Sequence, residues 1–120
     1  MDNHNILQSF GFAFAGLVHA FRENRNIKIH FSIAILVMAA AILLHITLPE
    51  IILLLVMIVM VISAEMINTS IEEMINLITT ERREEAKIAK DVAAGMVLIF
   101  SIGSAIVGIM VFAPYILKLI

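Results

Sequence analysis

The stretch AEMINTSIEEMINLI, running from Ala64 to Ile78, follows directly on the apolar run IILLLVMIVMVIS. Glu65, Asn68, Glu72, Glu73 and Asn76 thus stand at the end of a helix whose preceding turns read as a membrane span. Taken from Glu65 at about 100° per residue, Asn68 falls at about −60°, Glu72 at about −20° and Asn76 at about +20°. These four share one stripe about 80° wide, and Glu73 lies on its flank at about +80°. Met66, Ile67, Ile71, Met74 and Ile75 fill the rest of the circumference. A helix end that merely becomes wet accounts for Glu73 and Asn76. It does not account for Glu65, which sits deepest among apolar neighbours, because ionisable groups in a span are costly and as a rule functional. Carboxylates converging at a water boundary can accept a proton and hold a hard divalent cation.

Lys90-Asp91 forms a second cluster, at the start of the last apolar run and at the depth of Glu72. A cation opposite acidic groups at a water boundary suggests a site for a metal-bound phosphate. Asp91 is expected to orient Lys90. Lys87 reads as a snorkelling or interfacial charge.

The elements that position these groups follow from composition. The chain of 120 residues is 62% hydrophobic and 15% charged, and its mean hydropathy is +1.05. Soluble domains run nearer 45–50% apolar, so the class is all-α integral membrane, in one domain covering residues 1–120. With no cysteine, disulfides, thiolate chemistry and cysteine metal sites are excluded. The N-terminal MDNHN lacks a basic n-region, so no removable signal peptide is expected.

Residues 5–25 read as an amphipathic helix lying in the interface, too short for a span, which needs about 20 residues. Span 1 covers 29–48, and span 2 covers 49–78 with Pro49 in its first turn. At about 1.5 Å per residue span 2 is about 45 Å long, against about 30 Å of hydrocarbon, so its last turns emerge. Glu65 then lies about 24 Å in, near the hydrocarbon edge. A charged connector, 79–91, continues as helix into span 3, 92–117. There GSAIVG offers small residues for close packing, and Pro114 is placed to kink the far end.

Arg22, Arg25, Lys28, Arg82, Arg83, Lys87 and Lys90 fall on one side of the membrane and Lys118 alone on the other. This asymmetry puts the N-terminus and the connector in the cytoplasm. The carboxylate end of span 2 therefore faces ATP. GFAFAG has the spacing of a phosphate loop, but Leu17 and Val18 stand where Lys and Ser/Thr are required, which excludes a Walker A loop. His4, His19, His30 and His45 lack ligand spacing and read as structural. The methionines read as lipid-facing or packing residues.

Two blocks carry a resemblance. AEMINTSIEEMINLI resembles the pattern Glu-x-x-Asn-(Ser/Thr)-x-Ile-Glu, and AKIAKDVAAGMVL the block Ala-Lys-Asp-x-x-(Ala/Gly)-x-x-Val-Leu, of the prokaryotic diacylglycerol kinase and undecaprenol kinase family. GFAFAGL, RNIKIHF, the three-span layout and the connector length extend it over nearly the whole chain. The resemblance implies an integral membrane lipid kinase of the bacterial cytoplasmic (inner) membrane. It implies a homotrimer whose sites are shared between neighbouring chains, with ATP as phosphoryl donor and Mg²⁺ as cofactor, and no nucleic-acid partner. It implies Glu65 as general base and Glu72 as metal ligand. It implies Asn68, Glu72, Glu81, Arg82, Arg83, Lys90, Asp91 and Phe12 as nucleotide-binding positions. The family's second metal-binding glutamate falls on Asn24, which offers only a neutral carbonyl oxygen, so either Asn24 or the adjacent Glu23 is expected to face the metal, with Glu23 preferred. Its acidic residue at the end of the second span is Asn76 here, and an N-terminal arginine of some members falls on Asn5. RNIKIHF and AKDVAAGMVL resemble undecaprenol kinases more than the diacylglycerol enzymes of Gram-negative bacteria. Undecaprenol is therefore the expected acceptor, with diacylglycerol as the alternative. A small transporter or channel subunit is the more distant alternative, though transport calls for charge near the midplane, whereas here it clusters at one face.

Overall fold

The computed structural model describes residues 5–120; His4, read above as structural, lies outside them. Its elements are α1 (Ile6–Glu23), α2 (Arg25–Leu43), α3 (Leu48–Ile78) and α4 (Glu84–Leu119), and no strand occurs among the described residues. α2, α3 and α4 are each long and apolar enough to cross a membrane.

α1 starts in a reciprocal cap. The Asn5 side chain accepts from the Gln8 backbone N–H at 2.8 Å, and the Asn5 N–H donates to Gln8 Oε1 at 3.1 Å, which satisfies two of the helix's free N–H groups. α1 ends at Asn24, whose extended backbone (φ −111°, ψ 111°) is both its C-cap and the N-cap of α2. The first membrane helix therefore begins at Arg25, four residues ahead of the expected start at residue 29. The reason is local: Asn24 Oδ1 accepts the N–H groups of Asn26 at 2.8 Å and Ile27 at 3.3 Å, which nucleates a new helix within one residue of the old one. Around the break Ala20 is buried and Ile27 is fully buried. Phe21 meets Phe31 edge to face, with ring centroids 5.4 Å apart. Such a pair adds about 0.5–1.5 kcal/mol beyond area burial, so the angle between α1 and α2 is held by packing on both sides.

α2 ends earlier than the expected residue 48, in a Schellman turn. The His45 N–H donates to Ile42 O at 3.2 Å and the Ile46 N–H to Ala41 O at 3.1 Å, with His45 left-handed at φ 54°. Ala41 and Ile46, the two apolar ends of the motif, belong to one buried cluster with Leu54 of α3 and Val111 of α4. Beside it Tyr115 OH donates to Glu50 Oε1 at 2.8 Å, and the Thr47 hydroxyl donates to the same oxygen at 2.6 Å. This pins α4 to the start of α3 at the end remote from the motif carboxylates. α3 packs mainly on α4 and less on α2. Gly103 of α4 lies 4.0 Å, measured to its would-be Cβ, from the Met57 side chain, so one of the small residues sits against α3. α4 runs through Pro114 to Leu119.

The accessible surface is 9151 Å², against about 6,500 Å² expected of a compact soluble monomer of this mass. The excess is apolar: Leu36, Ile99, Ile109 and Met110 are each about 70% exposed. A chain with this surface is stable where lipid or other protein covers it.

Candidate active site

The motif face of α3 changes from dry to wet as it leaves the bundle. Glu65 is 2% exposed and Asn68 6%, while Glu72, Glu73 and Asn76 are exposed. Glu65 and Glu72 are separated by two turns, about 10 Å of rise. Burying a carboxylate without partners is strongly unfavourable, and here the partners come from the α1–α2 break. Asn24 Nδ2 donates to Glu65 Oε1 at 3.3 Å and Asn26 Nδ2 to the same oxygen at 3.5 Å. Asn24 Nδ2 also donates to Thr69 Oγ1, whose hydroxyl in turn donates to the Glu65 backbone carbonyl at 3.0 Å. No described residue hydrogen-bonds the other carboxylate oxygen, Oε2.

Asn68 Nδ2 donates to Glu72 Oε1 at 3.4 Å. A carboxylate only accepts, so this contact fixes the amide's orientation and leaves Asn68 Oδ1 buried without a partner among the described residues. An orphaned buried oxygen is available to a donor or a cation.

These groups line a cavity of about 300 Å³ bounded by Glu23, Asn24, Glu65, Asn68, Glu72 and Glu73, with His19, Arg25, Asn26 and Thr69. No group of three or more His, Asp or Glu side chains among the described residues stands close enough to hold a metal alone. Glu23 and Glu72 nevertheless share this cavity. That donor set fits a hard cation of the Mg²⁺ kind, which is held by one or two carboxylates with the rest of its shell from phosphates and water.

A second cavity, about 390 Å³, lies beyond it toward the connector. It is lined by Asn76, Thr79, Thr80, Glu81, Arg82, Arg83, Lys87, Lys90 and Asp91. α3 joins the two: Glu72 faces the first, and Asn76, one turn on, faces the second. Lys90 Nζ donates to Asn76 Oδ1 at 2.8 Å, which ties the start of α4 to the motif face. Asp91 does not orient Lys90. Its carboxylate holds Lys87 at 2.7 Å, one turn away on the same face, because adjacent residues on a helix point about 100° apart. Arg83 pairs with Glu81 at 3.2 Å. Phe12 is 59% exposed on α1 and lines neither cavity.

The chain thus brings the expected positions together in two groups along one strip: Glu23, Asn24, Glu65, Asn68 and Glu72, then Glu81, Arg82, Arg83, Lys90 and Asp91. Asn26 and Thr69, which touch the Glu65–Asn24 network directly, are additions that sequence reasoning missed. Residues 11–112 match the family model described as prokaryotic diacylglycerol kinase. The chain belongs to this family. Over 116 residues it is 39% identical to a protein of Synechocystis named diacylglycerol kinase, covering 96% of this chain and 66% of that protein. Over 111 residues it is 33% identical to a protein of Bacillus subtilis named undecaprenol kinase, covering 92% of this chain and 90% of that one. Both relatives are named as kinases of lipid alcohols, and the motif strip lies inside the family match.

Proposed function

We propose that this member of the diacylglycerol kinase family is an ATP-dependent lipid kinase of the bacterial cytoplasmic membrane that phosphorylates the primary hydroxyl of undecaprenol. The observation that carries the reading is the gradient along one face of α3, from a buried Glu65 to an exposed Glu72 about 10 Å further out. A lipid alcohol lies in the membrane with its hydroxyl at the headgroup level, and ATP arrives from water. A phosphoryl transfer between them needs a base at the depth of the hydroxyl and charge neutralisation nearer the water.

In this reading Glu65 Oε2 takes the proton of the lipid hydroxyl as its oxygen bonds to the γ-phosphorus. The bond from that phosphorus to the bridging oxygen breaks, which gives ADP and the lipid phosphate. Glu72 and Glu23 would hold Mg²⁺, which neutralises phosphate charge when bound. Asn68 Oδ1, the buried orphan, faces a donor or the cation. Lys90, already anchored on Asn76, offers its remaining N–H groups to the phosphates, and Arg82, Arg83 and Glu81 line the path of the nucleotide. The excess of Lys and Arg beside this strip supports a cytoplasmic orientation for it. The large exposed apolar surface of one chain suits a homotrimer with sites completed by a neighbour.

Undecaprenol is favoured by the match to the Bacillus protein, which spans nearly all of both chains. The second reading, diacylglycerol, is favoured by the higher identity to the Synechocystis protein. Purified protein in detergent with Mg²⁺ and labelled ATP, offered each lipid in turn, discriminates them. Faster labelling of undecaprenol is expected. Faster labelling of diacylglycerol overturns the choice of substrate, and labelling of neither overturns the kinase.

A further inference from the structure

The proposed chemistry leaves Asn24 to be explained. It stands between two helices, and all of its side-chain capacity is already spent. Oδ1 accepts the Asn26 and Ile27 N–H groups at the start of α2, at 2.8 and 3.3 Å. Nδ2 donates to Glu65 Oε1 at 3.3 Å and to Thr69 Oγ1. A side chain in this orientation has no lone pair aimed at a cation. The carbonyl oxygen that a metal would need is the one that caps the helix.

The orientation is over-determined. If the amide were flipped, its NH₂ would face two backbone N–H groups and its oxygen a carboxylate, so these contacts would become repulsive at once. One side chain thereby fixes three things together: where α1 stops, where α2 starts, and where Glu65 Oε1 sits. Asn26, two residues on, adds a longer donation to the same Oε1 at 3.5 Å. Both amides fall on one oxygen of the carboxylate, and Oε2 is left to the substrate.

We infer that Asn24 is a positioning residue for Glu65, one that transmits the geometry of the α1–α2 break to the proton-accepting oxygen, and that the metal-facing carboxylate on this side is Glu23. The inference rests on Glu65 being the base, as proposed above. Displacement of reacting groups by about 1 Å costs about 10²-fold in rate. Losing the Nδ2 donor should therefore lower turnover while leaving the binding of MgATP alone.

The test separates capping from positioning from metal binding. Asn24→Ser keeps a good N-cap, but its hydroxyl is too short to reach Glu65 as well. The expected result is folded protein with kcat down about 10- to 100-fold and with KM for ATP and the Mg²⁺ requirement unchanged. Placed in Glu65→Gln, the same substitution should cost no more than about 2-fold further, because the group it positions is already disabled. Full activity in Asn24→Ser would reduce Asn24 to a cap and overturn the inference. So would a raised Mg²⁺ requirement in Asn24→Ser, or an undiminished additive loss in the double variant. A Glu65→Gln protein that keeps its turnover would instead remove the base itself, a distinct failure seen without any change at Asn24. If Asn24→Ser does not fold, Asn24→Asp decides. It retains the cap and exchanges the donor for a second carboxylate against Glu65, so turnover should fall at unchanged Mg²⁺ requirement; a lowered requirement would mark the position as metal-facing and overturn the inference.

Discussion

Glu65→Gln removes one proton-accepting group and little else. The structure says how the new amide will sit. Asn24 and Asn26 both donate to Oε1, so the carbonyl of the introduced glutamine takes that place and its NH₂ takes the place of Oε2. Both inter-helical hydrogen bonds survive, and a buried ionisable group is replaced by a neutral one of the same shape, so the folded state should be as stable as the parent or more so. Glu65 lies about 10 Å of helix rise from Glu72, so KM for ATP and the Mg²⁺ requirement should move little. Turnover should fall by about 10² to 10⁴, the range for general acid–base catalysis, which corresponds to about 2.7 to 5.4 kcal/mol of transition-state stabilisation. The assay is initial rate against lipid concentration, with thermal unfolding followed on the same preparation. A folded variant with kcat within about threefold of the parent would refute the argument, since no other carboxylate is buried at that depth among the described residues.

Three further outcomes follow from the same geometry. Glu23→Gln should raise the Mg²⁺ concentration for half-maximal activity severalfold; an unchanged requirement, with a lowered one in Asn24→Glu, would transfer the metal role to Asn24. Mixing Glu65→Gln protein with Lys90→Ala protein should restore part of the activity if neighbouring chains complete one another's sites, and no recovery in verified mixed trimers would place both residues in one chain. Ile27→Ala, at a fully buried position beside the helix break, should destabilise by about 2–5 kcal/mol, read as a lower unfolding midpoint; an unmoved midpoint would mean the break is not held by packing.

The three spans and the motif stripe were legible because each rests on a pattern within one helix: long apolar runs, and residues three and four apart falling on one face. Thr69 was legible too, as the Ser/Thr position of the motif. On the wheel that puts Asn76 at about +20°, it stands at about +40°. The Lys87–Asp91 pair was equally visible as an i,i+4 spacing, whereas Lys90 and Asp91, though adjacent in sequence, point about 100° apart on the helix. The Asn24 break was harder. An Asn before an apolar periodic run is a helix-start signal, yet whether α1 stops there or continues depends on Ile27 being buried and on Glu65 and Thr69 being close enough to take the amide. Both are tertiary facts. Asn26 belongs to the site only because the break turns it toward α3, so no local pattern marks it.

Transfer of a phosphoryl group from ATP to a membrane lipid alcohol is read from the label that the lipid acquires. Purified protein, Mg²⁺ and undecaprenol are incubated with ATP labelled at the γ-phosphate or, in parallel, at the α-phosphate, and the lipid fraction is counted. Mg²⁺-dependent label is expected in the lipid from γ-labelled ATP and none from α-labelled ATP. An unlabelled lipid fraction from folded protein, with diacylglycerol as well as undecaprenol, would contradict it.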